Sequence, residues 1–324
     1  MDAVVVLPDE AHSLEIQPTA DPMPQAQQVV IEVAAAGVNR ADLLQRQGHY
    51  PPPAGASEIL GLECSGVVRE VGIGVTRWQV GDKVCALLDG GGYATRVAVH
   101  EAQVMPVPEG VDLITAAALP EVCCTVMSNV SMAARLQACE TLLVHGGGSG
   151  VGSMAVQWGH ALGARVVATV GSQEKSAAVL DLGASCVINY KESDFVTLID
   201  EFTQGQGADV ILDIIGAKYL DRNVQALAQD GRLIVIGLQG GTKAELNLAR
   251  LLAKRAAIHA TSLRFRPVAQ KSDICAEVVS RMWPLFGSDR LRPVVDQILP
   301  LGQAGRAQEA LSNGAVLGKI LLSA

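Results

Sequence analysis

The sequence predicts an α/β protein with two parts, a mostly-β unit followed by a doubly wound, six-stranded parallel sheet. Three observations carry that prediction. Up to about residue 115 the apolar runs are short and are separated by glycine and proline turns. From Thr141 apolar strands alternate with helical segments, the pattern of a parallel sheet covered by helices. Between the first of those strands and the first of those helices stands HGGGSGVG, residues 145–152, with five glycines in eight positions. A backbone that turns sharply, approaches a ligand and then starts a helix needs residues without a Cβ, so this stretch reads as a phosphate cradle.

In the first part the β runs are VVIEVAAAGV (29–38), CSGVVREVG (64–72), DKVCALL (82–88) and YATRVAV (93–99). The turns YPPPAG, GIG and DGGG punctuate them, which suits a barrel-like unit. In the second part the strands are TLLVH (141–145), RVVATV (165–170), CVINY (186–190), ADVILDII (208–215), RLIVIGL (232–238) and AIHATSL (257–263). Six strands fit a Rossmann sheet. The helix after the second strand shows its ends plainly: Ser172 is a candidate N-cap, Glu174 lies in the first turn and Gly183 stops it. In such a sheet ligands bind beyond the carboxyl ends of the strands, so the six loops that leave those ends should form one site.

Composition excludes several classes. With 324 residues, 49% hydrophobic and 18% charged, the chain can bury large cores and is not disordered. The net charge of −8 and the scattered basic residues give no support to a nucleic-acid surface. The amino terminus MDAVVVLPDEAHS is acidic where a signal peptide would be basic, and no apolar stretch reaches the roughly 20 residues of a membrane span. A cytoplasmic protein without a membrane partner is expected. The seven cysteines contain no C-x-x-C pair, so neither a disulfide framework nor a zinc ribbon is indicated.

The exit of the second strand bears on cofactor choice. An acidic residue there would bind an adenosine ribose and repel a 2′-phosphate, but none ends this strand. Gly171, Ser172 and Lys175, with Tyr190 from the next strand, instead offer a hydroxyl and a cation to a phosphate dianion. NADPH is therefore expected over NADH. Glu174 opposes that reading, and Ser172 would also serve as a helix cap alone.

Taken together, AAAGVNRADLLQRQGHYPPPAG, LGLECSGVVREVG, GDKVCALL, HGGGSGVG and VGSQEK resemble the medium-chain dehydrogenase/reductase superfamily. Within it they are most similar to the zinc-free, zeta-crystallin-like quinone oxidoreductases, in particular to the tumour-suppressor-induced NADPH quinone oxidoreductase subgroup. The resemblance spans nearly the whole chain. It implies a GroES-like mostly-β domain from residues 1–120 and 265–324, a Rossmann domain from 121–264, and an active site between them. Metal-dependent relatives place zinc ligands where this chain has Asn39, Leu62 and, in the third position, Glu121. Leucine ligates nothing and asparagine is a weak neutral ligand, so no metal is expected. The relatives' four-cysteine zinc lobe is also missing.

The resemblance further implies roles for single residues. Asn39 and Tyr50 would face the cleft, Tyr50 with a hydroxyl for an acceptor oxygen or, alternatively, packed on Pro51, Pro52 and Pro53. Thr125 would meet the ribose-phosphate part of the cofactor. Gly147, Gly148, Ser149, Gly150, Val151 and Gly152 would surround the pyrophosphate, with the Ser149 hydroxyl pointing to the cofactor or the cleft. Gly216, the Gly237, Leu238 and Gln239 loop, and Ser262 with Leu263 and Arg264 would frame the nicotinamide. Asn313 and Lys319 would approach its far side, although Lys319 could equally be an exposed strand charge. His49 and His145 read as structural or solvent-facing rather than as general bases, and Glu63 as anchoring backbone amides rather than transferring protons. The expected activity is hydride transfer from NADPH to a quinone, catalysed mainly by shape, in a homodimer closed along the edge of AIHATSL. An alkenal or enone reductase would use the same geometry. A non-catalytic NADPH-binding or RNA-binding crystallin-like protein is the alternative of another class, and the acidic charge argues against it.

Overall fold

The computed structural model describes residues 1–288 and 290–324. They form two compact units, one of Met1–Cys124 with Leu263–Ala324 and one of Thr125–Ser262. The first junction falls four residues later than the sequence suggests, for a structural reason. The Glu121 amide bonds the Glu63 carboxylate at 2.9 Å, and the Cys124 sulfur lies 3.9 Å from that of Cys275, so both residues belong to the first unit.

The first unit opens with a hairpin of β1 (Asp2–Val6) and β2 (Leu14–Pro18). Its main sheet is then built from β3 (Gln28–Gly37), β4 (Glu63–Val71), β5 (Lys83–Leu87), β6 (Arg96–His100) and β7 (Val104–Pro106). Helix α1 (Arg40–Arg46) follows β3, and α2 (Pro120–Val126) leads toward the second unit. Strand β3 is the hub. It pairs with β4 along its length and with β6 through Gln28–Glu32. Such a strand is buried on both faces, which is why its sequence is a near-continuous apolar run rather than an alternating one.

The second unit begins with a π-helical segment, Met127–Ala133. Strands β8 (Thr141–His145), β9 (Arg165–Val170), β10 (Cys186–Asn189), β11 (Ala208–Asp213), β12 (Leu227–Val235) and β13 (Ala257–Ala260) then alternate with helices. Those are α3 (Gly150–Ala161), α4 (Gln173–Asp181), α5 (Phe195–Thr203), α6 (Leu220–Ala226) and α7 (Leu248–Ala253). All six strands are parallel, in the order β10-β9-β8-β11-β12-β13. This is the Rossmann arrangement, and the order reverses at β8, whose loop is the glycine run. Strands β8 and β9 end with their apolar runs, whereas β10 to β13 end one to three residues before theirs. Asp213, for example, accepts from the amides of Ile215 (2.7 Å) and Gly216 (3.0 Å), which turns the chain out of the sheet.

The chain then returns to the first unit with α8 (Val268–Arg281), α9 (Trp283–Phe286), β14 (Val295–Pro300), α10 (Ala304–Ser312) and β15 (Lys319–Ser323). Strand β15 pairs antiparallel with β3 at Ala35, Ala36 and Gly37, and parallel with β14, completing a seven-stranded mixed sheet of GroES-like type. Among the described residues no helix is long and apolar enough to cross a membrane.

Candidate active site

The glycine run lies at the carboxyl end of β8. Gly146 has φ +73°, a left-handed conformation that favours glycine. A Cβ on Gly152 would fall against the Gly146 carbonyl, so the first turn of α3 can press onto the loop only without one. The loop there is glycine backbone, half-buried at Gly146 and Gly150, and the first amides of α3 have no intrahelical acceptor, as a pyrophosphate requires. The residues fit a dinucleotide on that ground. The Ser149 hydroxyl, however, does not point outward as expected. It donates to the Gly146 carbonyl at 2.8 Å and accepts from the Gly152 amide at 3.1 Å, because residue 149 is the N-cap of α3. Serine at this position closes the loop; the glycines make room.

His145 supports the loop from below. It is buried, its Nε2 donates to Asn223 Oδ1 at 2.8 Å and its Nδ1 accepts from the Thr169 hydroxyl at 3.1 Å. The same hydroxyl oxygen accepts from the Gly146 amide at 3.2 Å. Burial lowers the histidine pKa to about 4, so the ring is neutral and structural.

The neighbouring loops gather at the same ends of the strands. Ser172 caps α4, its Oγ accepting from the Lys175 amide at 3.3 Å, while the Tyr190 hydroxyl lies over Gly171, where a Cβ would come within 2.6 Å of it. The loops after β11 and β12 are knitted together by Gln239 N to Ile214 O (3.2 Å) and Gly240 N to Ile215 O (2.7 Å). This brings Gly216, Gly237 and Gln239 side by side, with Leu238 exposed. Thr125 is buried in the last turn of α2, its carbonyl accepting from Asn129 Nδ2 at 2.8 Å. Asn129 Oδ1 in turn accepts from the Thr261 hydroxyl at 2.5 Å, fixing the exit of β13 just before Ser262.

The first unit, taken by itself, holds a buried polar cluster that sequence reading did not assemble. Lys319, the first residue of β15, is 4% exposed. Its ammonium donates to the Val38 carbonyl (3.0 Å), Asn39 Oδ1 (2.6 Å) and Glu63 Oε1 (2.5 Å). All three of its protons are used, so it is neither an exposed strand charge nor a direct cofactor ligand. Asn39 Nδ2 donates to the same Glu63 oxygen at 2.8 Å, which holds the amide at both ends. Asp42 lies beneath, accepting from the Asn39 amide (2.8 Å), the Gly61 amide (3.3 Å) and the Tyr93 hydroxyl (3.0 Å). Burial raises Asp42 to about 6, and burial together with the Glu63 charge raises Glu121 to about 8. Leu62 is buried. Among the described residues no three His, Cys, Asp or Glu side chains are placed to hold a metal ion.

Tyr50 is half-buried, its ring centroid 5.3 Å from that of Phe265. Arg264, 4% exposed, binds the Tyr50 carbonyl (3.3 Å), Gln45 Oε1 (2.8 Å) and the Asp89 carbonyl (2.6 and 2.9 Å). Arg264 thus points into its own unit rather than framing a ligand, and Leu263 is buried beside it. Asn313 is exposed at the end of α10, and His49 is exposed in its loop.

The chain matches the alcohol dehydrogenase GroES-like domain over residues 25–109 and the zinc-binding dehydrogenase domain over residues 150–277. It is 32% identical over 306 residues to the quinone oxidoreductase of Rattus norvegicus, covering 93% of this chain and 90% of the relative. It is 30% identical over 320 residues to quinone oxidoreductase 1 of Escherichia coli, covering 97% and 96%. A solved structure of the Escherichia coli quinone oxidoreductase complexed with NADPH superimposes with a TM-score of 0.89 at 28% identity, covering 100% of this chain and 99% of that one.

Two outcomes test this geometry. Ser149→Gly should cost only a few tenths of a kcal/mol of stability, whereas Ser149→Val should cost about 1 kcal/mol and weaken nicotinamide dinucleotide binding much more than the glycine variant does. Urea unfolding and nucleotide titration of the two proteins check it; equal nucleotide affinities would contradict the loop's assignment. His145 binds a proton more readily unfolded (6.5) than folded (about 4), so its neutral form contributes stability above pH 6.5 that is lost as pH falls toward 4. The stability of the wild type relative to His145→Gln should therefore rise by about 3 kcal/mol between pH 4 and 6.5, read from urea midpoints at each pH.

Proposed function

This chain belongs to the quinone oxidoreductase family of the medium-chain dehydrogenases/reductases, and from that premise and the geometry above we propose that it transfers hydride from NADPH to a quinone without a metal ion. It is an oxidoreductase with a nicotinamide cofactor and a small-molecule substrate. The observation that carries the finer reading is the Asn39, Glu63 and Lys319 cluster. Where metal-dependent relatives assemble zinc ligands, this chain places an amide whose two ends are already held by an ammonium and a carboxylate. Such a donor set polarises no alcohol or carbonyl oxygen as a Lewis acid would. A quinone needs little electrophilic help, because reduction makes it aromatic.

When bound, the dihydronicotinamide supplies the hydride. The chain's own residues bind, orient and exclude water. The 146–152 loop would take the pyrophosphate on bare backbone, and Ser172, Lys175 and Tyr190 would take the 2′-phosphate. The loops with Gly216, Gly237, Leu238, Gln239 and Ser262 would border the nicotinamide, as Thr125 would the ribose. Asn39 and Tyr50 would meet the acceptor and hold it flat, which is where positioning can contribute most of the rate. An enal has the same need for a hydride but gains less from a flat pocket, and so is the second choice. We also propose a homodimer, since β13 is an edge strand with unpaired backbone groups beside the half-buried Ile258.

The test is NADPH and NADH oxidation with a panel of quinones and enals. NADPH should be preferred, and Lys175→Ala should lower its affinity about tenfold or more while changing NADH binding little, the cost of one charge-assisted hydrogen bond. Equal affinity for the two nucleotides in the wild type, or turnover of enals alone, would overturn the reading. Sedimentation at micromolar concentration should give a dimer; a monomer would contradict that part.

A further inference from the structure

Helix α2 brings to the polar cluster of the first unit one group that hydride transfer leaves idle. The Glu121 backbone amide donates to Glu63 Oε2 at 2.9 Å, while the other oxygen of that carboxylate accepts from Asn39 Nδ2 at 2.8 Å. One buried carboxylate therefore fixes both the start of α2 and the side chain that would meet the acceptor. The Glu121 side chain is held differently. Among the described residues its carboxyl makes no hydrogen bond and no ion pair. Asp42, by contrast, accepts from Asn39, Gly61 and Tyr93, and Glu63 is paired with Lys319. Those two are fully buried and Glu121 is half-buried, so of the three carboxyls it alone keeps a way out to solvent.

The neighbouring charges decide its protonation. The Lys319 ammonium has all three protons on Val38, Asn39 and Glu63, and the Lys271 ammonium is paired with Asp89. Arg264, the third cation nearby, is bound to Gln45 and to the carbonyls of Tyr50 and Asp89. Glu63 and Asp42 stand on the negative side. Desolvation, with the Glu63 charge next, pushes the Glu121 carboxyl up to about 8, so it carries its proton at neutral pH. An acid that keeps its proton at neutral pH, has not engaged it in a hydrogen bond and can be refilled from water has what general acid catalysis requires.

We propose that Glu121 is a catalytic residue, the proton donor that completes reduction of the acceptor. This rests on the quinone reductase reading above. The acceptor takes a hydride, with its electron pair, from the dihydronicotinamide, which leaves one acceptor oxygen as an oxyanion. The Glu121 O–H bond then breaks, its proton joins that oxygen to give the neutral hydroquinone, and the bonding pair stays on the carboxylate. Water returns a proton to Glu121, a step that the adjacent Glu63 charge favours.

The test is reduction of 1,4-naphthoquinone at saturating NADPH, from about pH 6 to about pH 10, by the wild type, Glu121→Gln and Glu121→Asp. Glutamine matches the neutral acid in size and keeps the backbone bond to Glu63, so NADPH affinity, read by calorimetry, should stay within about twofold. At neutral pH kcat of Glu121→Gln should fall about a hundredfold with little change in KM for the quinone. Wild-type kcat should decline about tenfold per pH unit above about 8, a limb that Glu121→Asp keeps and Glu121→Gln lacks. A glutamine variant within about twofold of the wild type, or one with the same alkaline limb, would overturn the proposal. So would loss of NADPH binding in that variant, which would make Glu121 structural, or loss of the limb in Glu121→Asp. If the wild type reduced no acceptor, the functional reading would fall and this role with it; wild-type turnover matched by Glu121→Gln overturns this role alone.

Discussion

The ion pair between Lys319 and Glu63 is the interaction on which the first unit depends. Glu63 is fully buried at the start of β4, and Lys319 stands at the start of the last strand, 256 residues later in the chain. A charge taken so far from water is tolerated only if its partner and its hydrogen bonds are all in place, and removing one member of such a pair typically costs about 3–5 kcal/mol. The carbonyl of Val38, the side chain of Asn39 and the amide of Glu121 complete the set. Strand β15 and the start of helix α1 are thereby held to β4 through the ammonium, and helix α2 through the Glu63 carboxylate. That ammonium cannot neutralise three carboxyls at once. Asp42 and Glu121 sit above their ordinary values, at about 6 and about 8, because burial above all, with the Glu63 charge beside them, disfavours their charged forms. Because the folded cluster binds these protons more tightly than the unfolded chain does, its contribution to stability declines as pH rises through that range.

In the second unit polar side chains at the strand ends are used to shape loops. Asp213 turns the chain after β11, Thr169 and His145 hold Gly146, and Ser149 caps α3. None of these groups is spare for proton transfer. What they leave is loop backbone held in a fixed form, half-buried at Gly146, Gly150 and Val151.

Much of this was legible in the sequence because it is local. The six strands, the Ser172 cap and the glycine loop follow from periodicity and from residues without a Cβ, and each depends on neighbours a few positions away. The direction of the Ser149 hydroxyl was not legible, since the choice between capping the helix and facing the ligand is made by the position of the Gly146 carbonyl. Lys319 was beyond reach for a different reason. In SNGAVLGKILL it has the pattern of a charge at a strand end, and only the pairing of β15 with β3 reveals that Glu63 is opposite. The place of Tyr50 depends in the same way on Arg264 spanning residues 45, 50 and 89.

The discontinuity of the first unit also bears on how the protein is made. On the ribosome β3 emerges early, but the strand that covers one side of its carboxyl half follows only after all of Thr125–Ser262 has been synthesised. Until then the Glu63 carboxylate has no ammonium and Ala35, Ala36 and Gly37 lack their partners on that side. The inserted Rossmann unit has its own sheet and core and is the part that can fold first during elongation. For the earlier segment the nascent chain is a half-built sheet with an open edge, a state that invites pairing with other chains. Its exposure ends only when Lys319–Ser323 has been made and can pair with β3, so a chain that has not yet reached that strand is the form in which aggregation of this protein would originate.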